Sequence, residues 1–248
     1  MMDLLDQAAD IIIKGRFNIA LTGAGISVES GIPDFRSKGG LWTKYDPAEY
    51  ATISAFKDDP EKVWKMIKEM DELLDRAKPN KAHIGLAELE RMGYLHGIIT
   101  QNVDNLHQEA GSTDVIEYHG TGKTLTCPWC GRGYHKEDKE NEYPPKCECG
   151  KILKPDIVFF GEPIPQEAMA RSFQMASRAE VLLVIGTSAV VSPANTIPSI
   201  AKQNRAKVIE VNMERTWLTD SITDVFLQGS AGEIIDGLVA RIKDKVKQ

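Results

Sequence analysis

The stretch Ile99-Thr100-Gln101-Asn102-Val103-Asp104 ends an apolar run with two amides and a carboxylate. A buried strand that closes on three polar groups needs partners for them, and the C-terminal edge of an α/β sheet is where such folds bind ligands. The plainer alternative is that Asp104 or Asn105 caps the helix that follows. A second run, Val115-Ile116-Glu117-Tyr118, delivers His119 ahead of Gly120. Imidazole is the side chain best placed to take a proton near neutral pH. A lone histidine is more often structural, but at a further apolar run ending in polar groups a general base is the better reading. His83, His96, His107 and His135 lack that setting and are read as structural.

Near the N-terminus Phe17-Asn18-Ile19-Ala20-Leu21 leads into Gly23-Ala24-Gly25, as a buried strand leads into a phosphate-binding turn. A dinucleotide fingerprint would add a third glycine and run into a helix. Val28 stands where that glycine would be, and the chain continues to Gly31-Ile32-Pro33-Asp34-Phe35-Arg36, where Pro33 discourages a helix. Asp34 and Arg36 by themselves could be a surface pair. Gly186-Thr187-Ser188 is another glycine turn after an apolar run, with two hydroxyls able to donate to phosphate. Asn212 ends a further run, and Gly229-Ser230-Ala231-Gly232 precedes the last helical pattern. Such loops suit an adenosine ligand, although each is common in α/β proteins.

All four cysteines fall in one stretch: Cys127 and Cys130, then sixteen intervening residues, then Cys147 and Cys149. Clustering of this kind points to metal rather than to disulfides, which staple distant parts of a chain. Four thiolates complete a tetrahedron around one zinc ion and leave no open position, so the metal would be structural. A redox Cys-x-x-Cys pair is the alternative, but it would not need the second pair. The second half-site is Cys-x-Cys, so its turn must differ from the first.

These groups need a scaffold. Apolar runs at 17–22, 97–100, 115–118, 181–186, 207–212 and 224–227 are continuous rather than alternating, as in strands buried on both faces. Helical patterns cover 3–14, 60–76, 80–92, 166–178, 194–203 and 231–246, with Asn80 as an N-cap and Gly93 past a C-terminus. The alternation predicts a doubly wound α/β fold. Residues 36–77, helical without a convincing strand, and 120–154, with the cysteines, read as insertions. Met66 and Met70 read as core packing, and the lysine-rich end as a solvated helix face. With 30 Lys+Arg against 36 Asp+Glu the net charge is −6, so broad binding to nucleic acid is not favoured. The N-terminal stretch is acidic early and lacks a signal-peptide core, and the apolar runs are too short to span a bilayer. A soluble cytoplasmic protein with no membrane partner is expected.

Taken in order, GAGIS and SGIPDFR, TQNVDNLH, Tyr118-His119-Gly120, the split cysteine quartet, PDIVFFGE (155–162), GTS and the Asn212 segment resemble the sirtuins, NAD-dependent protein deacylases. The matching pieces span about residues 20 to 232. The resemblance implies a Rossmann-like NAD-binding domain (1–35, 78–119 and 155–248) and a small domain of a helical module (36–77) and a zinc module (120–154). NAD would lie in the cleft between them and be consumed as a substrate. The acyl-lysine amide oxygen would attack the nicotinamide ribose, nicotinamide would leave, and the acyl group would pass to the 2′-oxygen of ADP-ribose.

On that resemblance the Gly23-Ala24-Gly25 turn and Ser27 approach the cofactor, and Gly186, Thr187, Ser188, Asn212 and Ala231 contribute to its adenosine side. Asp104 holds the carboxamide, Asn102 and Gln101 position the ribose and a water, Phe35 screens the reacting face, and Arg36 supports the loop. Asn102 and His119 are the catalytic pair, His119 as base on the ribose hydroxyls. Acyl-lysine proteins or peptides would bind as an added strand between Gly161-Glu162 and 189–192, which includes Val190 and Val191, with Val158 and Phe160 lining an acyl tunnel. Desuccinylating sirtuins carry a Tyr-x-x-Arg pair where this chain has Ile67 and Met70. Burying an acidic acyl group beside them would leave a charge without a partner, so acetyl or longer neutral acyl groups are expected. Competing readings are desuccinylation or demalonylation, mono-ADP-ribosyl transfer, a Rossmann dehydrogenase, and a non-catalytic reader of acyl-lysine or ADP-ribose. The missing third glycine counts against the dehydrogenase, and the presence of His119 and Asn102 against the reader.

Overall fold

In a computed structural model of the protein, which describes residues 3–35, 40–139 and 141–247, the six apolar runs become six strands of one parallel sheet. They are β1 (Asn18–Thr22), β2 (Ile98–Thr100), β3 (Val115–Glu117), β7 (Val181–Ile185), β8 (Lys207–Asn212) and β9 (Val225–Gln228). Three further strands, β4 (Gly120–Thr126), β5 (Gly133–His135) and β6 (Lys154–Ile157), form a separate antiparallel sheet in the order β5-β4-β6.

The large sheet runs β3-β2-β1-β7-β8-β9, the doubly wound order of Rossmann-like folds. Alternate residues of its strands (Ala20, Ile98, Leu183, Ile209) join one core with Ala8 and Ile12 of helix Leu4–Lys14, Leu86 of helix Lys81–Arg91, and Ile235 and Leu238 of helix Ala231–Val246. The intervening residues Ile19, Leu21, Ile99, Leu182 and Val184 are equally inaccessible. Burial of both faces is the reason the runs read as continuously apolar.

Register decides what the sheet presents. Thr22 pairs with Thr100 and with Ile185, Thr100 pairs with Glu117, and Ile185 pairs with Val211. Gly23, Gln101, Tyr118, Gly186 and Asn212, each one residue beyond this row, therefore lie at one level of the sheet edge. The strand order reverses between β1 and β7, so the Gly23 and Gly186 loops flank the switch point, where open α/β sheets bind ligands.

The chain divides into two compact units: Met1–Asp34, Ala77–Tyr118 and Glu167–Gln248 form the first, Phe35–Arg76 and His119–Gln166 the second. The expected boundary at 155 moves to 166, because β6 pairs with β4 and carries 155–166 into the second unit. The second unit has helices Leu41–Lys44, Pro47–Tyr50, Ile53–Asp58 and Pro60–Leu74. Phe56, Val63, Trp64, Ile67, Leu125, Leu153 and Phe159 form its core, which includes Cys127 and Cys147. The Trp64 indole donates to the Leu153 carbonyl at 2.8 Å, joining the helical part to the cysteine-bearing part. No helix among the described residues is long and apolar enough to cross a membrane.

Candidate functional site

In the first unit the two glycine loops back directly onto each other. Gly25 donates its N–H to the Gly186 carbonyl at 2.8 Å, and Gly23 donates to Ile185 at 3.1 Å. A Cβ on Gly25 would lie 2.7 Å from the Gly186 Cα, and one on Gly186, whose φ is +60°, would lie 2.3 Å from the Ile26 nitrogen. Only glycine fits either place. The amides of Gly23 and Gly25 are thus spent on the neighbouring loop. A short helix does form here, a 3-10 stretch over Ala24–Ser30 that is capped by Gly23 and contains Gly25. It stops at Gly31 (φ +87°) before Pro33 is reached, so the proline does not prevent it.

A polar network grows from this contact. Asn102 donates from Nδ2 to the Gly23 carbonyl (3.1 Å) and to Ser27 Oγ (3.2 Å), and the Ser27 hydroxyl donates to Asp104 Oδ2 at 2.6 Å. Asp104 Oδ1 also accepts the Leu106 N–H, so this carboxylate caps the following short helix and holds Ser27 at once. Gln101 donates to Thr187 Oγ1 at 3.0 Å, and Asn212 donates to the Thr187 carbonyl at 2.9 Å. Gly23, Ser27, Gln101, Asn102, Asp104, Gly186, Thr187 and Asn212 are thereby brought together. Ser188 is exposed on the same loop. Ala231 begins the last helix, where Glu29, which the sequence did not single out, accepts from the Gly232 N–H (2.6 Å) and the Ser230 hydroxyl (3.2 Å).

Two histidines read as structural lie inside this network. His83 Nδ1 accepts the Asn80 N–H in a capping box, which leaves Nε2 as donor toward Ser27 Oγ at 3.5 Å. The Thr22 hydroxyl donates to Thr100 Oγ1 (3.0 Å), so His107 Nε2, 2.9 Å from Thr22 Oγ1, is the donor there. The two rings meet edge-on, 4.9 Å apart. Burial pulls His83 from 6.5 to about 4, against the opposing pull of the Asp104 carboxylate. Burial, with His83 beside it, pulls His107 to about 3. Both rings are neutral at physiological pH. The one sequence signal for His83 was its place three residues after the Asn80 cap.

In the second unit His119 is half-buried and its carbonyl accepts the Val158 N–H at 2.8 Å. Gly120 (φ +74°) makes this approach possible, since a Cβ there would lie 2.0 Å from the Asp156 carbonyl oxygen. Phe160 is exposed, while its N–H donates to Ala51 and its carbonyl accepts from Ile53. The Phe35 ring lies 5.1 Å from Trp42, which lies 6.5 Å from Phe160. Glu162 turns its carboxylate inward, accepting the Phe159 N–H (2.9 Å) and pairing with Lys154 (3.0 Å). Lys154 also donates to the carbonyls of Pro155 and Ile157, both at 2.8 Å. Glu162 thus anchors its own loop through Oε2, and Lys154 is a loop anchor the sequence did not signal. Ile67 is buried in the unit's core with Met70 packed against it. Val190 is exposed and Val191 half-buried in the first unit. Arg36 lies outside the described residues.

The four cysteines form the metal-ligating cluster. Cys127 and Cys149 sulfurs are 3.6 Å apart, Cys130 and Cys147 sulfurs 3.5 Å, and all four lie within 4.8 Å of one another. A tetrahedral site with Zn–S bonds of about 2.3 Å has edges of about 3.8 Å, so the donor set fits one zinc ion. As expected, the two half-site turns differ: the first closes over four residues and the Cys-x-Cys one over three, although both end in a glycine of positive φ. Gly131 (φ +73°) and Gly150 (φ +82°) each follow a cysteine and donate back, to Cys127 and Cys147 respectively.

A model of the Sir2 family matches residues 23–193. An NAD-dependent protein deacylase of Thermococcus kodakarensis is 49% identical, covering 97% of this chain and 96% of that protein. A Sir2 homologue solved with NAD superposes with a TM-score of 0.91 at 45% identity, covering 99% of this chain and 96% of that one. A Sir2 protein bound to a myristoylated histone peptide gives 0.85 at 38% identity, covering 100% and 99%.

Three measurements test these features. Metal analysis should find one zinc per chain, and chelation should unfold the second unit, since a structural zinc contributes on the order of 10 kcal/mol. The unfolded chain takes up protons on its histidines before the folded one does. Stability present above pH 6.5 should fall as pH drops toward about 4 for His83 and about 3 for His107. By pH 5 each ring costs about 2 kcal/mol, measurable by urea unfolding at stepped pH, with a shallower loss in His107→Gln. Lys154→Met should destabilise by about 3 kcal/mol because it strands a largely buried carboxylate, and adding Glu162→Gln should recover at least half of it.

Proposed function

Because the chain belongs to the Sir2 family, we propose that it is an NAD-dependent protein-lysine deacylase that releases nicotinamide and passes the acyl group to ADP-ribose. The observation that carries this reading is the Asn102–Ser27–Asp104 constellation at the switch point of the sheet. NAD, when bound, supplies an electrophilic ribose carbon, a nicotinamide leaving group and the ribose hydroxyl that accepts the acyl group.

Each residue then has a task set by its bonds. Asn102 has Nδ2 committed to Gly23 and Ser27, which fixes the amide and directs Oδ1 to accept from a ribose hydroxyl or a water. Asp104, held by Ser27, receives the amide of nicotinamide through its carboxylate. Gln101 is oriented by Thr187, and Asn212 by the Thr187 carbonyl, for the ribose and adenosine sides. Gly186, Ser188 and Ala231 line the same ligand. Phe35 excludes water from the reacting face, and Arg36 supports its loop. His119 takes a proton from the ribose hydroxyls.

The acyl-lysine peptide is received through main-chain hydrogen bonds by Gly161-Glu162 and by 189–192. Val158 and Phe160 contact the acyl-lysine side chain. Ile67 and Met70 act at one remove, by making the surroundings of the acyl group apolar. A neutral acyl group is favoured over succinyl, and the relative solved with a myristoylated peptide is consistent with a long one.

Mass spectrometry of the protein with NAD and matched acetyl-, myristoyl- and succinyl-lysine peptides tests this. The expected result is neutral-acyl removal with equal amounts of nicotinamide and O-acyl-ADP-ribose. Preferential desuccinylation would overturn the acyl assignment alone. ADP-ribose attached to protein without free acyl-ADP-ribose would favour transferase activity instead. His119→Ala should lower turnover by about 100-fold or more while NAD still binds; near-normal turnover would remove His119 as the base.

A further inference from the structure

The loop that follows β8 is fastened by a carboxylate with no exposure at all. Glu210, inside β8, accepts hydroxyl hydrogens from Thr216 (2.6 Å), Thr219 (2.8 Å) and Thr223 (2.8 Å). A buried carboxylate satisfied this way holds the three threonines, and the turn they span, in one arrangement. That turn carries Trp217. Trp217 is 42% exposed, yet its indole N–H donates to the Ala189 carbonyl at 2.7 Å.

Ala189 is an unusual acceptor. Its φ is +51°, a left-handed conformation that a residue with a Cβ keeps only where its surroundings impose it. Two hydrogen bonds do so. Thr187 Oγ1 accepts the Ala189 N–H at 3.1 Å on one side, and Trp217 grips the Ala189 carbonyl on the other. The same Thr187 oxygen accepts from Gln101. Val190, immediately beyond this fixed residue, is 54% exposed, so the chain passes from a clamped position to an open one within a single step.

We propose that Trp217 is a positioning residue for substrate: by holding the Ala189 carbonyl it sets the direction in which the Val190–Ser192 main chain is offered to the acyl-lysine peptide. Main-chain recognition requires an edge already fixed in place, because each residue left to order on binding weakens the complex. Glu210 fixes the turn, the turn fixes Trp217, and Trp217 with Thr187 fixes Ala189. This inference rests on the reading that 189–192 receives the peptide.

Trp217→Phe keeps an aromatic ring at this position and removes the indole N–H donor together with the five-membered ring that carries it. Anisotropy of a fluorescein-labelled acetyl-lysine peptide against the free protein should show a Kd about fivefold weaker, the size of one neutral hydrogen bond. Calorimetry with ADP-ribose should show a Kd changed by less than about twofold on the same scale. A peptide Kd unchanged in W217F would overturn the proposal, as would equal weakening of both ligands, which marks a purely structural indole. Val190→Glu separates the proposal from the reading beneath it. If V190E weakens peptide binding and W217F does not, the clamp fails and the docking stretch stands; if V190E has no effect, the docking reading falls and the clamp with it.

Discussion

The contact between Gly25 and Gly186 sets the separation of two loops on which the rest of the site is hung. Both loops leave the sheet at the level fixed by the pairing of Thr22 with Ile185, on either side of the place where strand order reverses. With hydrogens in place of Cβ atoms their backbones close to a 2.8 Å hydrogen bond. Asn102 can then reach the Gly23 carbonyl from one neighbouring strand, and Asn212 the Thr187 carbonyl from the other. A methyl group at either glycine would push the loops apart and break the reach of both amides together. The glycine pair that looks like a phosphate-binding device is, in this chain, first a device for packing one loop against another.

The network built on that contact is electrically sparse. Its members are amides, hydroxyls and two neutral imidazoles, with Asp104 as the one formal charge among those bonded to Ser27 and Asn102. Neutral donors aimed by buried acceptors give direction without the desolvation cost of opposed charges. The other carboxylates work mainly elsewhere: Glu29 meets the start of the last helix, Glu210 gathers three threonines and touches the network only through Asn212 (3.4 Å), and Glu162 pairs with Lys154. Each holds a loop.

Much of this was legible in the sequence, because two-sided burial writes itself as an unbroken apolar run. All six sheet strands lie where Ile19, Ile98, Ile116, Leu183, Ile209 and Leu227 mark such runs, and Gln101, Asn102 and Asp104 stand where a run ends. The antiparallel sheet was not legible. β4 is mostly half-exposed and rich in glycine and threonine, and β5 is mostly exposed, with no apolar run to mark either. Nor were the partners of buried polar groups: Ser27 meets His83 across 56 positions and Asp104 across 77. Such pairs follow from sheet register, and register is a property of three strands together rather than of any one.

The second unit is assembled from two lengths of chain, Phe35–Arg76 and His119–Gln166, and its core is shared between them. That division has a consequence for synthesis. As the chain emerges from its N-terminus, Phe56, Val63 and Trp64 appear long before Leu125, Leu153 and Phe159, the side chains they pack against. The Trp64 indole waits for the Leu153 carbonyl, and the first pair of cysteines waits for the second. Until about residue 160 has left the ribosome, an apolar helix face stands open in a crowded cell. The nascent protein is therefore most exposed to misassociation midway through translation.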